Sequence, residues 1–247
     1  MSVDPAARRA LARRLLPLLD LTSLGDFDTP ETIEALCASA RLPQGAPAAV
    51  CIHPEHVTTA RRALAGSAIK VATVVNFPDG GSDHARVQRE TRRVLAAGAE
   101  EVDMVLPWPA LLHGERPAVE RAVRAAREVC GGSVALKLIL ETGCLGSAER
   151  IAEAAGIGLA AGVDFLKTST GKVEVNATPE AAAVMLDAIA AAGGRCGFKA
   201  AGGIRSLADA MVYLNLAERR LGADWITPAH FRIGASALFA EIRAALD

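Results

Sequence analysis

Five lysines stand against 22 arginines in this chain, so arginine supplies nearly all of its positive charge. Four of the five, Lys70, Lys137, Lys167 and Lys199, fall in or just after short apolar or glycine-flanked runs. Arginine cannot serve where a group must lose its proton, so lysines placed this way suggest chemical roles. Lys167 is the sharpest case. It closes the apolar run Val163-Asp164-Phe165-Leu166 and opens the turn Thr168-Ser169-Thr170-Gly171-Lys172. Burial disfavours an ammonium, and the neutral amine is the form that attacks a carbonyl carbon to make a Schiff base. An unperturbed lysine, with a pKa of ~10.4, is a free amine in only about one molecule in two thousand at pH 7. The turn that follows offers the Thr170 hydroxyl, the Gly171 backbone and the Lys172 cation, which suit a phosphate. The alternative is a lysine that snorkels from a strand end into solvent.

Other polar residues sit in short apolar runs: Asp20, Asp103, Lys137 and Lys199. Two carboxylates and three lysines sharing one interior balance in charge if one lysine is neutral. An uncharged amine, a neighbouring ammonium that lowers its pKa, and a carboxyl group to move protons make an imine-forming set. Taken singly, each member has a plainer role: Asp103 as half of a strand-end ion pair, Lys137 as its neutraliser.

The elements that would bring these residues together alternate along the chain. A leading helix is expected over residues 4–17, then a strand over Leu18–Thr22. Thr29-Pro30-Glu31 is a helix start, with a threonine cap and proline at the first position, and opens a helix to about Arg41. Strands follow at Ala48–Ile52, Ile69–Val75, Glu101–Leu106, Val134–Leu140, Val163–Leu166, Gly197–Lys199 and Phe231–Ser236. Between them lie helices over His53–Ala65, Asp83–Ala97, Ala118–Cys130, Ser147–Gly162, Thr178–Gly193 and Ser206–Leu221, and a short one ends the chain. The pattern of alanine-rich helix, glycine and apolar strand recurs around Gly98, Gly162 and Gly222. Eight strands alternating with helices in 247 residues, without a linker, predict one domain spanning residues 1–247. Its class is α/β: a single (β/α)8 TIM barrel with a leading N-terminal helix. A doubly wound open sheet is the alternative, but no G-x-G-x-x-G lies near the first strand.

Composition narrows the partners. Net charge is −1 and 51% of residues are hydrophobic, which argues against a nucleic-acid or membrane-surface partner and for a large core. No apolar run approaches membrane-spanning length. Arg8, Arg9, Arg13 and Arg14 precede an apolar run broken by Pro17 and Asp20, so an amphipathic helix is expected there rather than a signal peptide. The five cysteines are scattered and lack C-x-x-C spacing, which points to a reducing cytoplasm without a disulfide framework or structural zinc. His53 and His56 flank Pro54 and lack a third ligand, so metal binding is not expected.

Six segments are similar to the 2-deoxyribose-5-phosphate aldolase family: Leu18 to Thr22, Thr73 to Pro78, Glu101 to Asp103, Phe165 to Lys172, Val175 to Glu180, and Gly197-Phe198-Lys199 with Ala201 to Arg205. They span the strands in the family's order. The resemblance implies a class I aldolase, free of metal or other cofactor, on a TIM barrel. It would reversibly split 2-deoxy-D-ribose 5-phosphate into acetaldehyde and D-glyceraldehyde 3-phosphate. Its partners would be small phosphosugars and aldehydes, and assembly into a homo-oligomer stays open. Carried over by motif, Lys167 is the Schiff-base lysine, Lys199 the lysine that perturbs it, and Asp103 the proton donor or acceptor. Asp20 orients Lys199, and Cys51 and Thr22 line the pocket near the sugar. The phosphate sits on the turn of Thr170, Gly171 and Lys172, with Gly202, Gly203, Gly234 and Ser236. Two positions depart from the family pattern. Some members end in a flexible tail with a terminal tyrosine, whereas the only tyrosine here is Tyr213, mid-helix. Some carry two serines after the last glycine, whereas Ala237 follows Ser236 here. A different Schiff-base aldolase or transaldolase is one competing reading. A non-catalytic barrel that binds a sugar phosphate is another, and it would show stabilisation by ligand without turnover.

Overall fold

In the computed structural model, which describes residues 4–247, the apolar runs form a closed ring. The strands are β1 (Leu19–Thr22), β2 (Ala49–Ile52), β3 (Lys70–Val75), β4 (Glu101–Val105), β5 (Ala135–Ile139), β6 (Phe165–Lys167), β7 (Gly197–Ala201) and β8 (Phe231–Ala235). Neighbours pair in parallel in sequence order, and β8 closes onto β1. The helices are α1 (Pro5–Leu15), α2 (Pro30–Ser39), α3 (Val57–Ala63), α4 (His84–Ala96), α5 (Trp108–Leu112), α6 (Arg116–Cys130), α7 (Thr142–Leu145), α8 (Ala148–Ala160), α9 (Pro179–Ala191), α10 (Leu207–Leu221) and α11 (Ala237–Leu246). This is the (β/α)8 barrel expected from the sequence, with α1 leading it.

The local reasons are those the sequence offers. Thr29, Ser147, Thr178 and Ser206 each accept a backbone N–H of their helix's first turn, satisfying donors that would otherwise be orphaned. Gly162 ends α8 in the left-handed region, at φ 71°. Val163 belongs to that helix end, because its N–H donates to the Gly158 carbonyl. That corrects the expected bounds of the sixth strand: it begins at Phe165, and Lys167 is its last residue. The short helices α5 and α7 were not expected, since four or five residues are too few to show a helical period.

Strand alternation then sorts the side chains. Val50, Ile52, Val102, Met104, Leu138 and Phe198 point outward into the core shared with the helices. On the inner face, Ala49, Cys51, Ala72 and Val74 of β2 and β3 make a separate small cluster. Their small volume leaves room for longer side chains reaching across from the opposite wall, and those are charged. No helix among the described residues is long and apolar enough to cross a membrane.

Candidate active site

Seven ionisable side chains meet inside the barrel: Asp20 from β1, Glu101 and Asp103 from β4, Lys137 from β5, Lys167 from β6, Lys199 from β7 and Arg232 from β8. All are buried, and none is more than 6% exposed. Asp103 is the hub. Its Oδ2 accepts from Lys167 Nζ at 2.8 Å and from Lys199 Nζ at 2.7 Å. Its Oδ1 accepts from Lys137 Nζ at 2.9 Å. Lys199 also donates to Asp20 Oδ2 at 2.5 Å. Below them, Arg232 donates to Asp20 Oδ1 at 2.5 Å and to Glu101 Oε1 at 3.0 Å, while Lys137 pairs with Glu101 at 2.6 Å. The register explains why they meet: Lys167 lies beside Lys199, Lys199 beside Arg232, and Asp103 beside Lys137.

Three carboxylates face four cationic side chains, so the set balances when one lysine is uncharged. The groups differ in how they would titrate. Burial lowers the pKa of Lys167, and the Lys199 ammonium adds to that effect, while Asp103 opposes it. Lys199 is driven the other way. Burial disfavours its charge, but Asp103 and Asp20 outweigh that and hold it protonated. Lys137 is likewise held charged, against burial, by Asp103, Glu101 and Asp20. Asp103 and Asp20 are kept well below the usual carboxylate range: burial alone would raise them, and the surrounding cations more than offset it. Asp103 was expected as the proton donor or acceptor. It touches the Lys167 amine directly, and it leaves that amine deprotonatable because its charge is divided among three lysines.

Above the network a cavity of about 480 Å³ opens at the C-terminal ends of the strands. Lys167 is the only member of the buried network that lines it. The wall includes Thr22, Thr170, Gly171, Lys172, Gly202, Gly203, Gly234 and Ser236. Asp20, Cys51, Asp103 and Lys199 are not among the residues that line it. Cys51 places its sulfur 3.9 Å from Asp103 Oδ2, and burial raises its thiol pKa. Gly234 has a further role: a Cβ there would stand 2.9 Å from Lys199 Cε, so a bare backbone leaves space for that lysine. Lys172 Nζ donates to the exposed Asp26 at 2.8 Å. The N-terminus of α11 has no side-chain cap, and Ser236 and Ala237 line the cavity there. In contrast, the α10 N-terminus is closed by Ser206 and Asp209.

Sequence reasoning missed Glu101, Arg232 and Glu141, as well as Ser23, Ile204 and Arg205 of the cavity wall. The first two were accessible to it. Glu101 is two residues from Asp103, and Arg232 two from Gly234, so period-2 alternation puts each pair on one face. Tyr213 is structural: its hydroxyl donates to the Ala177 carbonyl at 2.9 Å, and burial pushes its pKa up to about 12. Among the described residues, no three His, Cys, Asp or Glu side chains are grouped to hold a metal ion.

Residues 16–240, which include every strand of the barrel, match the DeoC/LacD family aldolase. The structure is similar to that of a Toxoplasma gondii protein provisionally assigned as a deoxyribose-phosphate aldolase, at 26% identity and a TM-score of 0.89, covering 99% of this chain and 97% of that one. A Coccidioides immitis protein with the same provisional assignment shares 27% identity, with a TM-score of 0.81 over 98% of this chain and 99% of its own. The tetrameric deoxyribose phosphate aldolase of Aeropyrum pernix shares 25% identity, with a TM-score of 0.76 over 97% of this chain and 92% of that one. A match that runs from before β1 to beyond β8 leaves one conclusion: this chain belongs to the DeoC/LacD family of aldolases, and it is a lyase.

Proposed function

We propose that this aldolase reversibly cleaves 2-deoxy-D-ribose 5-phosphate to acetaldehyde and D-glyceraldehyde 3-phosphate through a Schiff base on Lys167. One observation carries the reading: Lys167 is a buried amine at a cavity floor, sharing a single carboxylate oxygen with a second lysine. In this scheme the neutral Nζ adds to C1 of the open-chain sugar, and loss of water gives the iminium. The C2–C3 bond then breaks and its electrons flow into the iminium, leaving an enamine. The C3 hydroxyl gives up its proton as C3 becomes the aldehyde of glyceraldehyde 3-phosphate. The enamine takes a proton at C2, and water hydrolyses the resulting iminium, freeing acetaldehyde and the amine. Asp103, in contact with Nζ, is the proton carrier in this scheme. Lys199 stays charged beside it, favouring the free amine. The phosphate would lie across Gly171, Lys172, Gly202 and Gly203, against the uncapped N-terminus of α11.

Acetaldehyde with borohydride tests the covalent step. It is expected to leave one ethyl group on Lys167, read by peptide mass; a label on another lysine alone would remove the assignment. A panel of donor aldehydes and ketones tests the substrate, and preference for another phosphosugar would favour the alternative Schiff-base reaction.

The phosphate assignment has its own test. Removing a charge-assisted contact costs roughly 1.5–3 kcal/mol, about tenfold to a hundredfold. Lys172→Ala is therefore expected to lower kcat/KM for the phosphorylated sugar by about that factor, and much less for unphosphorylated deoxyribose. Equal losses on both would place Lys172 in the chemistry or the fold.

A further inference from the structure

Glu141 is a fully buried carboxylate outside the charged network. It follows β5 in the left-handed region, at φ 57° and ψ 56°, a conformation that a residue with a Cβ adopts only at a cost. Its flanking residues are fixed to the neighbouring strand's exit. Leu140 N–H donates to the Lys167 carbonyl at 2.9 Å, and Thr142 N–H to the Thr168 carbonyl at 3.0 Å. Between these bonds the Glu141 side chain turns towards the loop beyond β6. There Oε1 accepts from Thr170 N–H at 3.2 Å and Oε2 from Thr170 Oγ1 at 2.5 Å. Thr170 Oγ1 in turn accepts from Lys172 N–H at 3.0 Å. Both carboxylate oxygens are thus committed to one residue of the turn beside Lys167. Both ends of the contact are buried, since Thr170 is only 7% exposed.

We infer that Glu141 is a positioning residue that holds the Thr170-Gly171-Lys172 turn in the shape that receives a phosphate, and so sets the preference for phosphorylated over unphosphorylated substrates. The inference rests on the proposed function for its substrate, but not for its geometry. A backbone strained into the left-handed region and a carboxylate removed from solvent are both unfavourable features. They are accounted for if the pair of bonds to Thr170, whose hydroxyl also takes the Lys172 N–H, holds Gly171 and Lys172 in place on the cavity wall. The contact continues the β5–β6 pairing past the end of the strands, where no ladder could hold the turn.

The test compares Glu141→Gln, Glu141→Asn and Thr170→Val with the wild-type protein. Asparagine tolerates the left-handed conformation but is too short to reach both donors, so it separates the side-chain bonds from the backbone geometry. Inorganic phosphate is the probe, titrated calorimetrically. The expected result is phosphate binding weakened about tenfold in each variant that keeps a wild-type-like melting transition. The ratio of kcat/KM for phosphorylated over unphosphorylated deoxyribose should fall by about the same factor. The double variant Glu141→Gln with Thr170→Val should be no worse than the weaker single one, because the two residues act as one unit. In the Glu141 variants, reductive trapping with acetaldehyde, which carries no phosphate, should still label Lys167. Unchanged phosphate affinity in folded variants, equal losses on both sugars, additive effects in the double variant, or a wild-type protein that binds no phosphate would each overturn the assignment. Should the wild-type enzyme turn over neither sugar, the proposed function fails, and the phosphate titration still decides the role of Glu141.

Discussion

Lys167→Met is expected to abolish reductive trapping and to cut turnover on the order of 10⁴-fold or more, the scale on which enzymes lose rate with their nucleophile. Lys167→Arg should be equally inactive, since a guanidinium does not surrender its proton. The two variants should nevertheless differ in stability. With methionine, Asp20, Glu101 and Asp103 still face Lys137, Lys199 and Arg232, and the interior is balanced. With arginine, a fixed fourth cation is forced among three carboxylates. An uncompensated buried charge costs roughly 3 kcal/mol or more, so the arginine variant should unfold at distinctly lower denaturant. The reverse order would mean that Lys167 is an ammonium in the resting protein and that the neutral-amine reading is wrong. Denaturant midpoints, with parallel mass spectra after borohydride, settle both points.

Lys199→Met should have the next largest effect, and its signature is a shift along the pH axis. Burial lowers the Lys167 pKa, and Lys199 lowers it further. Removing Lys199 ends that repulsion. It also frees the Asp103 oxygen that Lys199 shared, so the full carboxylate acts on Lys167. Both changes raise the Lys167 pKa. The nucleophile is the deprotonated form, so the acid limb of imine formation must move to higher pH. Each unit of such movement is a tenfold loss of free amine at neutral pH. Trapping with acetaldehyde at pH 7 is expected to slow by about tenfold or more, and to recover towards the wild-type rate as the pH is raised. If the height of the profile falls while its midpoint stays put, Lys199 is a proton carrier and not an electrostatic one.

Much of this arrangement was legible in the sequence, for identifiable reasons. Thr29-Pro30-Glu31 and Thr178-Pro179-Glu180 announce helix starts, and Gly98, Gly162 and Gly222 announce their ends. The alternation between them was enough for the barrel. Lys167, Lys199 and Asp103 stood out because lysine is rare in this chain and because charge in a short apolar run is costly. Glu101 and Arg232 were legible but unread, each two residues from a position already singled out. Glu141 could not have been found this way. Its role depends on a left-handed backbone after β5 and on a partner 29 residues away, and no local pattern encodes either. Cys51 came only from motif transfer, and its contact with Asp103 across the barrel is another link that no local pattern encodes.

The scarcity of lysine has a practical consequence for handling the protein. Lys137, Lys167 and Lys199 are enclosed in the barrel. That leaves Lys70, with a side chain 53% exposed, and Lys172, 30% exposed, as the lysines a reagent can readily meet. Among the lysines, activated esters and amine-coupled supports would therefore attach through Lys70, away from the cavity, and Lys172, which lines it. Coupling in the presence of excess inorganic phosphate should protect Lys172 and steer attachment to Lys70. The opposite wall of the choice is the 22 arginines: reagents that seize guanidinium groups would find many surface sites, and would be the poorer tool for labelling this enzyme at a defined place.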